Sequence, residues 1–355
     1  MTRLTSSYTS DEATKIAAKA LARGLTSERF QHNATLNALA PGTPPAPVPV
    51  PTPVPVPTAK RGASMGVSCS GEDTNLDRIV ALGLGWIRVP IEQGWNYENT
   101  LRTWVTNAHA RGLKVLQVAQ RADRTYTAAN LQAFADWCVS LTQTGIDALE
   151  IGNEWNLPLF WGTTPNVGGV GVYTAAVADR LRLAAPALPV IMGGLSPAAR
   201  PNDPPTFWPA VWGAMPTAGH AGVTGVGAHP YCYPEDPLAN EGQWWNASWQ
   251  LTVLYKAMVA RGLAQTPIWL TELGSPTASF VSEAAQATHM EHSFTALDKW
   301  RTQSPGLTYG PVFLHTITDG AGASVPKELT MGLYRADGTL KPIGEVVRRR
   351  AWELV

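Results

Sequence analysis

From about Lys60 onward the chain alternates short apolar runs with longer amphipathic stretches. Eight runs have the length and composition of buried strands: Ala63–Cys69, Trp86–Val89, Lys114–Val118, Ala148–Gly152, Val190–Gly193, Val223–Ala228, Ile268–Thr271 and Val312–His315. Between them lie helical stretches at Leu101–Ala110, Ala128–Leu141, Tyr173–Ala184, Trp249–Ala260 and Ala284–Trp300, with a last helix expected near Pro342–Trp352. A short apolar strand followed by an amphipathic helix is the repeating unit of a parallel sheet. Eight such units fit a closed (β/α)8 TIM barrel, an α/β fold, better than an open sheet. The open alternative also lacks its fingerprint, because GVSCSG after the first run is not G-x-G-x-x-G and no P-loop occurs.

The pattern breaks upstream at PGTPPAPVPVPTPVPVP, Pro41 to Pro57. Closely spaced prolines fix φ and remove amide donors, so this stretch reads as an extended, semi-rigid polyproline spacer. Residues 1–40 read as one helix, near Asp11–Arg23, followed by a tail. Thr9 and Glu12 have capping-box spacing and Gly24 can end the helix. Such a segment cannot bury a core alone. It is expected to dock on another protein or self-associate through a side that includes Ile16 and Leu21, with a disordered tail as the alternative. The organisation is therefore a docking segment (1–40), a linker (41–59) and a barrel domain (60–355).

Composition narrows the function. The 27 basic and 27 acidic side chains cancel, which argues against a nucleic-acid or anionic-membrane partner. No apolar run approaches the roughly 18 residues of a membrane-spanning helix. No signal-peptide core is visible, since Lys19 and Arg23 interrupt Ile16–Leu25. Cys69, Cys138 and Cys232 are too few for a disulfide framework and too scattered for zinc, so at most one bridge is expected. The 14 tryptophans are high, and some placed on loops would offer flat faces to sugar rings.

In a closed barrel the chemistry gathers at the C-terminal ends of the strands. There the second strand supplies Arg88 (WIRVP) and the fourth supplies Asn153 and Glu154 (ALEIGNEWN). The sixth supplies His229 and Tyr231 (AHPYCYP), the seventh Glu272 (LTELG), and the eighth His315 and Asp319 (LHTITDG). Two glutamates facing each other across a barrel mouth are what glycosidic-bond hydrolysis requires. His289 and His292 form H-x-x-H without a third ligand on an otherwise polar helix, so a solvated face is expected rather than a metal site. No G-x-S-x-G elbow supports a serine esterase.

These strand-end residues, in this order, resemble the pattern of the clan A retaining glycoside hydrolases, which include cellulase-type and β-xylosidase-like enzymes. The resemblance extends over about residues 62–352, and GLYRADGTLKP (Gly332–Pro342) resembles the segment after strand eight. It implies Glu154 as acid/base and Glu272 as nucleophile, with Asn153 on the 2-hydroxyl of the central sugar and Arg88 holding Glu272 ionised. It also implies Tyr231 bonded to Glu272, His229 orienting the site, and no cofactor or metal. The departure is strand eight, where many members place a tryptophan and this chain offers His315 and Asp319.

For each of these residues a rim ion pair, a turn or a satisfied core position is the ordinary alternative. Trp95, Trp155, Trp161 and Trp244 are expected as sugar platforms because they fall on βα loops, with core packing as the competing reading. The function implied is cleavage of β-glycosidic bonds in an oligo- or polysaccharide. The alternative is a catalytically silent sugar-binding barrel used for attachment. An extracellular glycan, cut by a bacteriophage virion enzyme docked through residues 1–40, is one setting consistent with the polyproline spacer. A retaining mechanism sets the carboxyl groups of Glu154 and Glu272 about 5–5.5 Å apart, against roughly 6.5–9.5 Å for an inverting pair.

Overall fold

The computed structural model describes residues 62–94, 98–278, 282–304, 306–320 and 329–353. The expected N-terminal helix, the polyproline spacer and Trp95 lie outside the described residues.

Eight parallel strands close into a barrel in sequence order. They are β1 (Gly62–Ser68), β2 (Leu84–Gln93), β3 (Lys114–Arg121), β4 (Ala148–Ile151), β5 (Val190–Met192), β6 (Gly225–Ala228), β7 (Ile268–Leu273) and β8 (Tyr309–Leu314). Closure is made by β1 against β8, with Met65, Gly66 and Val67 facing Val312, Phe313 and Leu314. All eight expected strands are present, offset by a few residues at their ends.

Helices α1 (Asp73–Ala81), α2 (Glu98–Ala110), α3 (Ala128–Leu141), α4 (Pro158–Trp161) and α5 (Val167–Ala184) cover the first half. Helices α6 (Pro204–Ala214), α7 (Thr217–His220), α8 (Ala247–Val259), α9 (Glu283–Gln303) and α10 (Pro342–Glu353) complete the ring. The sequence reading did not anticipate α1 or α6. In α6 the prolines disguise the helix, yet Pro204 and Pro205 occupy the first turn, where no amide donor is needed. Its Phe207, Trp208, Val211 and Trp212 recur at helical spacing and are all buried.

Alternation along each strand gives the barrel two separate cores. Outward residues such as Ile87, Val115 and Leu149 pack on the helices. Inward residues Trp86, Leu116, Ala148, Ile191, Trp269 and Phe313 plug the barrel floor. Two indoles fit because β1 contributes only Gly66 there: a Cβ on it would stand 2.6 Å from Cβ of Trp86 and 2.8 Å from the Phe313 ring. Above this apolar plug, the same inward faces turn polar.

Candidate active site

Arg88 lies one inward position above Trp86 on β2, and is 3% exposed. Its Nε donates to Glu150 Oε2 at 2.7 Å, its Nη1 to Glu272 Oε1 at 2.6 Å, and its Nη2 to Asn153 Oδ1 at 2.7 Å. The planar guanidinium thus fixes three groups from β4 and β7 at once, which a lysine could not do. Burial opposes its charge, but the carboxylates of Glu150 and Glu272 outweigh that and keep it protonated.

Glu154 follows β4 in a tight turn. Gly152 has φ +77° and Glu154 itself φ +48°, a left-handed conformation uncommon for a residue with a Cβ. The Glu154 amide donates to the Gly194 carbonyl at 2.9 Å, which tethers the turn to the segment after β5. Asn156 adds a second tether, with its Nδ2 donating to the carbonyls of Ser196 and Asn202 at 2.7 and 2.8 Å. The backbone is therefore held in a form that points the carboxyl into the mouth.

Glu272 at the end of β7 accepts from Arg88 and, through Oε2, from the Tyr231 hydroxyl at 2.7 Å. Burial alone would raise its pKa. The positive charges of His229 and Arg88, with the Tyr231 hydrogen bond, outweigh it and hold the carboxyl well below the usual range. His315 stands 3.9 Å from Oε2. Burial keeps this imidazole neutral by lowering its pKa, so the charge of Glu272 rests mainly on the other partners. Neither ring nitrogen of His315 has a hydrogen-bond partner among the described residues.

His229, fully enclosed at the end of β6, sits 2.9 Å through Nδ1 from Glu154 Oε1 and 3.7 Å from Glu272 Oε2. Burial opposes its charge, yet Glu272 and Glu154 raise its pKa above the ordinary imidazole value. Its Nε2 meets Thr271 Oγ1 at 3.0 Å, and Thr271 donates to Glu150 Oε1 at 2.8 Å. Since the threonine hydrogen is committed to Glu150, its oxygen accepts from His229, which places a hydrogen on Nε2. The proton between His229 Nδ1 and Glu154 Oε1 is then shared by that pair.

One oxygen of Glu154, one of Glu272 and a His229 nitrogen all lie within 4.8 Å of one another. Three such ligand atoms could in principle hold a cation. Arg88 already donates to the Glu272 carboxylate through Oε1 at 2.6 Å, however, and a guanidinium there opposes a second positive charge.

Arg88, Asn153, Glu154, His229, Tyr231, Glu272 and His315 are thus brought together. The tryptophans divide. Trp155 and Trp161 are 3% and 5% exposed and are not open platforms. Both belong to a packed aromatic group in which Trp161 stacks on Tyr126 at 4.5 Å and Trp155 donates from Nε1 to the Tyr126 hydroxyl at 3.2 Å. Trp244, on the segment after β6, is 57% exposed and keeps the role open. Asp319 turns away, accepting from Gly332 N and from the fully buried Lys341. His292 pairs with Asp236 at 2.8 Å, both half-buried, and His289 Nδ1 is enclosed without a hydrogen-bond partner among the described residues, so this face is partly packed rather than solvated as expected. All three cysteines are free.

Sequence reasoning missed Glu150 and Thr271. A glutamate inside the apolar run ALEIG was the available signal, because a charge in a buried strand needs a buried partner.

No family model and no curated protein matches the sequence. Solved structures do match. A GH5_18 protein from Streptomyces cattleya, in complex with GlcNAc, superposes with TM-score 0.63 at 18% identity, over 83% of this chain and 81% of that one. It shares its fold with glycoside hydrolases. A family 39 glycoside hydrolase from Bacteroides cellulosilyticus WH2 gives TM-score 0.62 at 16% identity, over 82% of this chain but only 64% of its own, a little under two thirds. A monomeric β-xylosidase from Caulobacter crescentus CB15 gives TM-score 0.54 at 16% identity, over 81% and 67%. The likeness at these identities is one of fold, a (β/α)8 barrel.

Proposed function

We propose that this chain is a retaining glycoside hydrolase that cleaves β-glycosidic bonds of an oligo- or polysaccharide by double displacement. The observation that carries the reading is the pair of carboxylates whose nearest oxygens lie within 4.8 Å, each in a different proton environment. That spacing is closer to the retaining arrangement, a nucleophile paired with an acid, than to the wider separation of an inverting pair.

Glu272, kept ionised by Arg88 and Tyr231, attacks the anomeric carbon while Glu154 delivers its shared proton to the departing oxygen. Water, deprotonated by Glu154, then releases the sugar with its configuration retained. Counting Glu150 and Glu272 as negative, Arg88 as positive and the Glu154–His229 pair as neutral, the buried site carries a net negative charge. That charge matches the positive character that develops at the anomeric carbon. On this reading Asn153 meets the 2-hydroxyl and Trp244 stacks on a sugar face, while His315, whose ring nitrogens are both enclosed, lines the site beside Glu272. No step calls for a cofactor.

The β-xylosidase and the GlcNAc-bound GH5_18 protein among the structural neighbours favour small β-linked sugars as first substrates to try. We further propose that residues 1–40 dock the barrel on a larger assembly facing an extracellular glycan, a virion being one such assembly. Deleting them would then leave hydrolysis intact and abolish assembly. The catalytic reading is tested by following aryl β-glycoside hydrolysis by NMR, with Glu272→Gln as control. Inverted product, or equal turnover by the variant, overturns it, and sugar binding without turnover would mark the barrel as an attachment module.

A further inference from the structure

Glu150 is the inward residue next above Ala148 on β4, and it is 0% exposed. Its two oxygens take three donors. Oε2 accepts from Arg88 Nε at 2.7 Å, and Oε1 from the Gly194 amide and the Thr271 hydroxyl, each at 2.8 Å. The ionised form satisfies all three, since a carboxylate only accepts. The chain keeps the approach clear with glycine. A Cβ on Gly194 would stand 2.6 Å from Thr271 Oγ1, and one on Gly227 2.6 Å from the Gly194 nitrogen.

Each of these donors is one contact away from Glu154 or Glu272. Arg88 also donates to Glu272 and to Asn153. Thr271 Oγ1 takes the hydrogen of His229 Nε2, and His229 Nδ1 faces Glu154. The Gly194 carbonyl holds the Glu154 amide. A structural ion pair is the ordinary reading of a buried glutamate beside an arginine. Here, however, Glu272 already serves as the counter-charge of Arg88, and a further buried carboxylate costs free energy that an apolar side chain would avoid. An ion pair also gives no reason for the second oxygen to tie the segment after β5 to β7.

We infer that Glu150 is a positioning residue for the reaction, a fixed negative charge that commits the Thr271 hydrogen and so keeps the proton of the His229–Glu154 pair in place. This role rests on the glycosidase reading of Glu154 and Glu272. Glu150 Oε1 lies 3.9 Å from His229 Nε2, close enough for its charge to favour a proton on the imidazole. The other titratable groups around His229 are Arg88, Glu154, Tyr231, Glu272 and the neutral His315. Behind the ring, Leu195, Trp208 and Leu254 line a small cavity and bring no charge. Arg88 repels the proton, and Glu150 offsets that repulsion. Arg88 and the two carboxylates bonded to it sum to one negative charge, which suits the positive charge developing at the anomeric carbon. Without Glu150 they would sum to zero.

The experiment titrates His229 by nitrogen-15 NMR in the wild type, Glu150→Gln and Glu150→Asp. Profiles of kcat/KM against pH are taken beside it on aryl β-glycosides and β-1,4-linked tetrasaccharides of xylose, mannose and glucose. Glu150→Gln should move the His229 midpoint and the alkaline limb toward acid by roughly one unit. It should also lower kcat/KM about tenfold or more. Glu150→Asp keeps the charge but is a methylene too short to bridge the three donors, so the profile should drop in height while the midpoint moves less. An unmoved midpoint in Glu150→Gln, or an equal shift in Glu150→Asp, overturns the role and leaves an active glycosidase standing. A wild type that hydrolyses none of the substrates, with the midpoint shifted as stated, overturns the glycosidase and keeps Glu150 as the residue that sets this proton. Inactivity with an unmoved midpoint overturns both. If neither variant folds, the wild-type spectrum decides: a hydrogen on Nε2 supports the role, and a hydrogen on Nδ1 alone overturns it.

Discussion

Thr271 Oγ1 lies 3.0 Å from His229 Nε2 while donating its own hydrogen to Glu150 at 2.8 Å, so one threonine sets the direction of a proton chain ending on Glu154. Thr271→Val removes the acceptor for Nε2–H and lowers the basicity of His229. The pair formed by His229 and Glu154 would then release its shared proton at lower pH. The alkaline limb of the kcat/KM profile should move toward acid, while the acid limb, set by Glu272, stays in place. A profile that merely drops in height would assign Thr271 to packing alone.

The two carboxylates should fail differently. Glu272→Ala should abolish turnover, and azide should restore it only with inverted product. Glu154→Ala should still form the covalent intermediate from substrates with good leaving groups and accumulate it, giving a burst; azide should then yield a product of retained configuration. Mass spectrometry of the trapped adduct locates the nucleophile. An adduct on any residue but Glu272 would reverse the assignment.

Arg88 donates hydrogen bonds to both Glu150 and Glu272. Arg88→Met leaves two buried carboxylates without the guanidinium hydrogen-bonded to both, which should cost about 3–5 kcal/mol of stability. Arg88→Lys keeps charge but not the fork, and should retain most of the fold while losing about a hundredfold or more in kcat/KM. Denaturant titration and steady-state kinetics on the two variants separate the contributions.

Stability should also depend on pH in a signed way. The pKa of Glu272 is depressed in the folded protein, so its contribution is present above the unfolded value of about 4.3 and is lost as pH falls through the folded one. His229 is raised, so its contribution is complete below about 6.5 and is lost as pH rises through its folded value. Melting curves across both ranges should show Glu272→Gln flattening the acid side and His229→Gln flattening the alkaline side.

Gly152→Ala tests the turn that aims Glu154. A Cβ there would stand 2.3 Å from the Trp155 ring, at a φ of +77° that alanine resists. Strain of about 1–2 kcal/mol plus overpacking of about 1–3 kcal/mol should lower the melting temperature and displace the carboxyl, with a loss of activity larger than the loss of stability implies. Normal activity in a folded variant would mean the turn is not what positions Glu154.

What was legible in the sequence followed from short-range pattern. Strand order, Arg88, Glu154 and Glu272 could be read because apolar runs end where the chemistry begins. The exposure of the tryptophans could not. Trp155 and Trp161 stand on loops, as expected, but those loops fold down onto Tyr126 and Tyr173 from other segments, and burial by distant residues leaves no local mark. Glu150 and Thr271 were missed for a related reason: their partners lie on other strands, Arg88 on β2 and His229 after β6, and only closure of the barrel brings them together.

The closing contact of the barrel has a bearing on how the molecule forms. Strand β1 meets β8, the two most distant strands in the chain, and the central charges come from β2, β4 and β7 in between. Pairings of such separation are slow to form, because a long loop must be ordered before they repay it. Until they form, Arg88 and its carboxylates remain solvated in an open sheet. The ionic core is therefore a late acquisition in folding. Substitutions within it should mainly accelerate unfolding and leave the folding rate little altered.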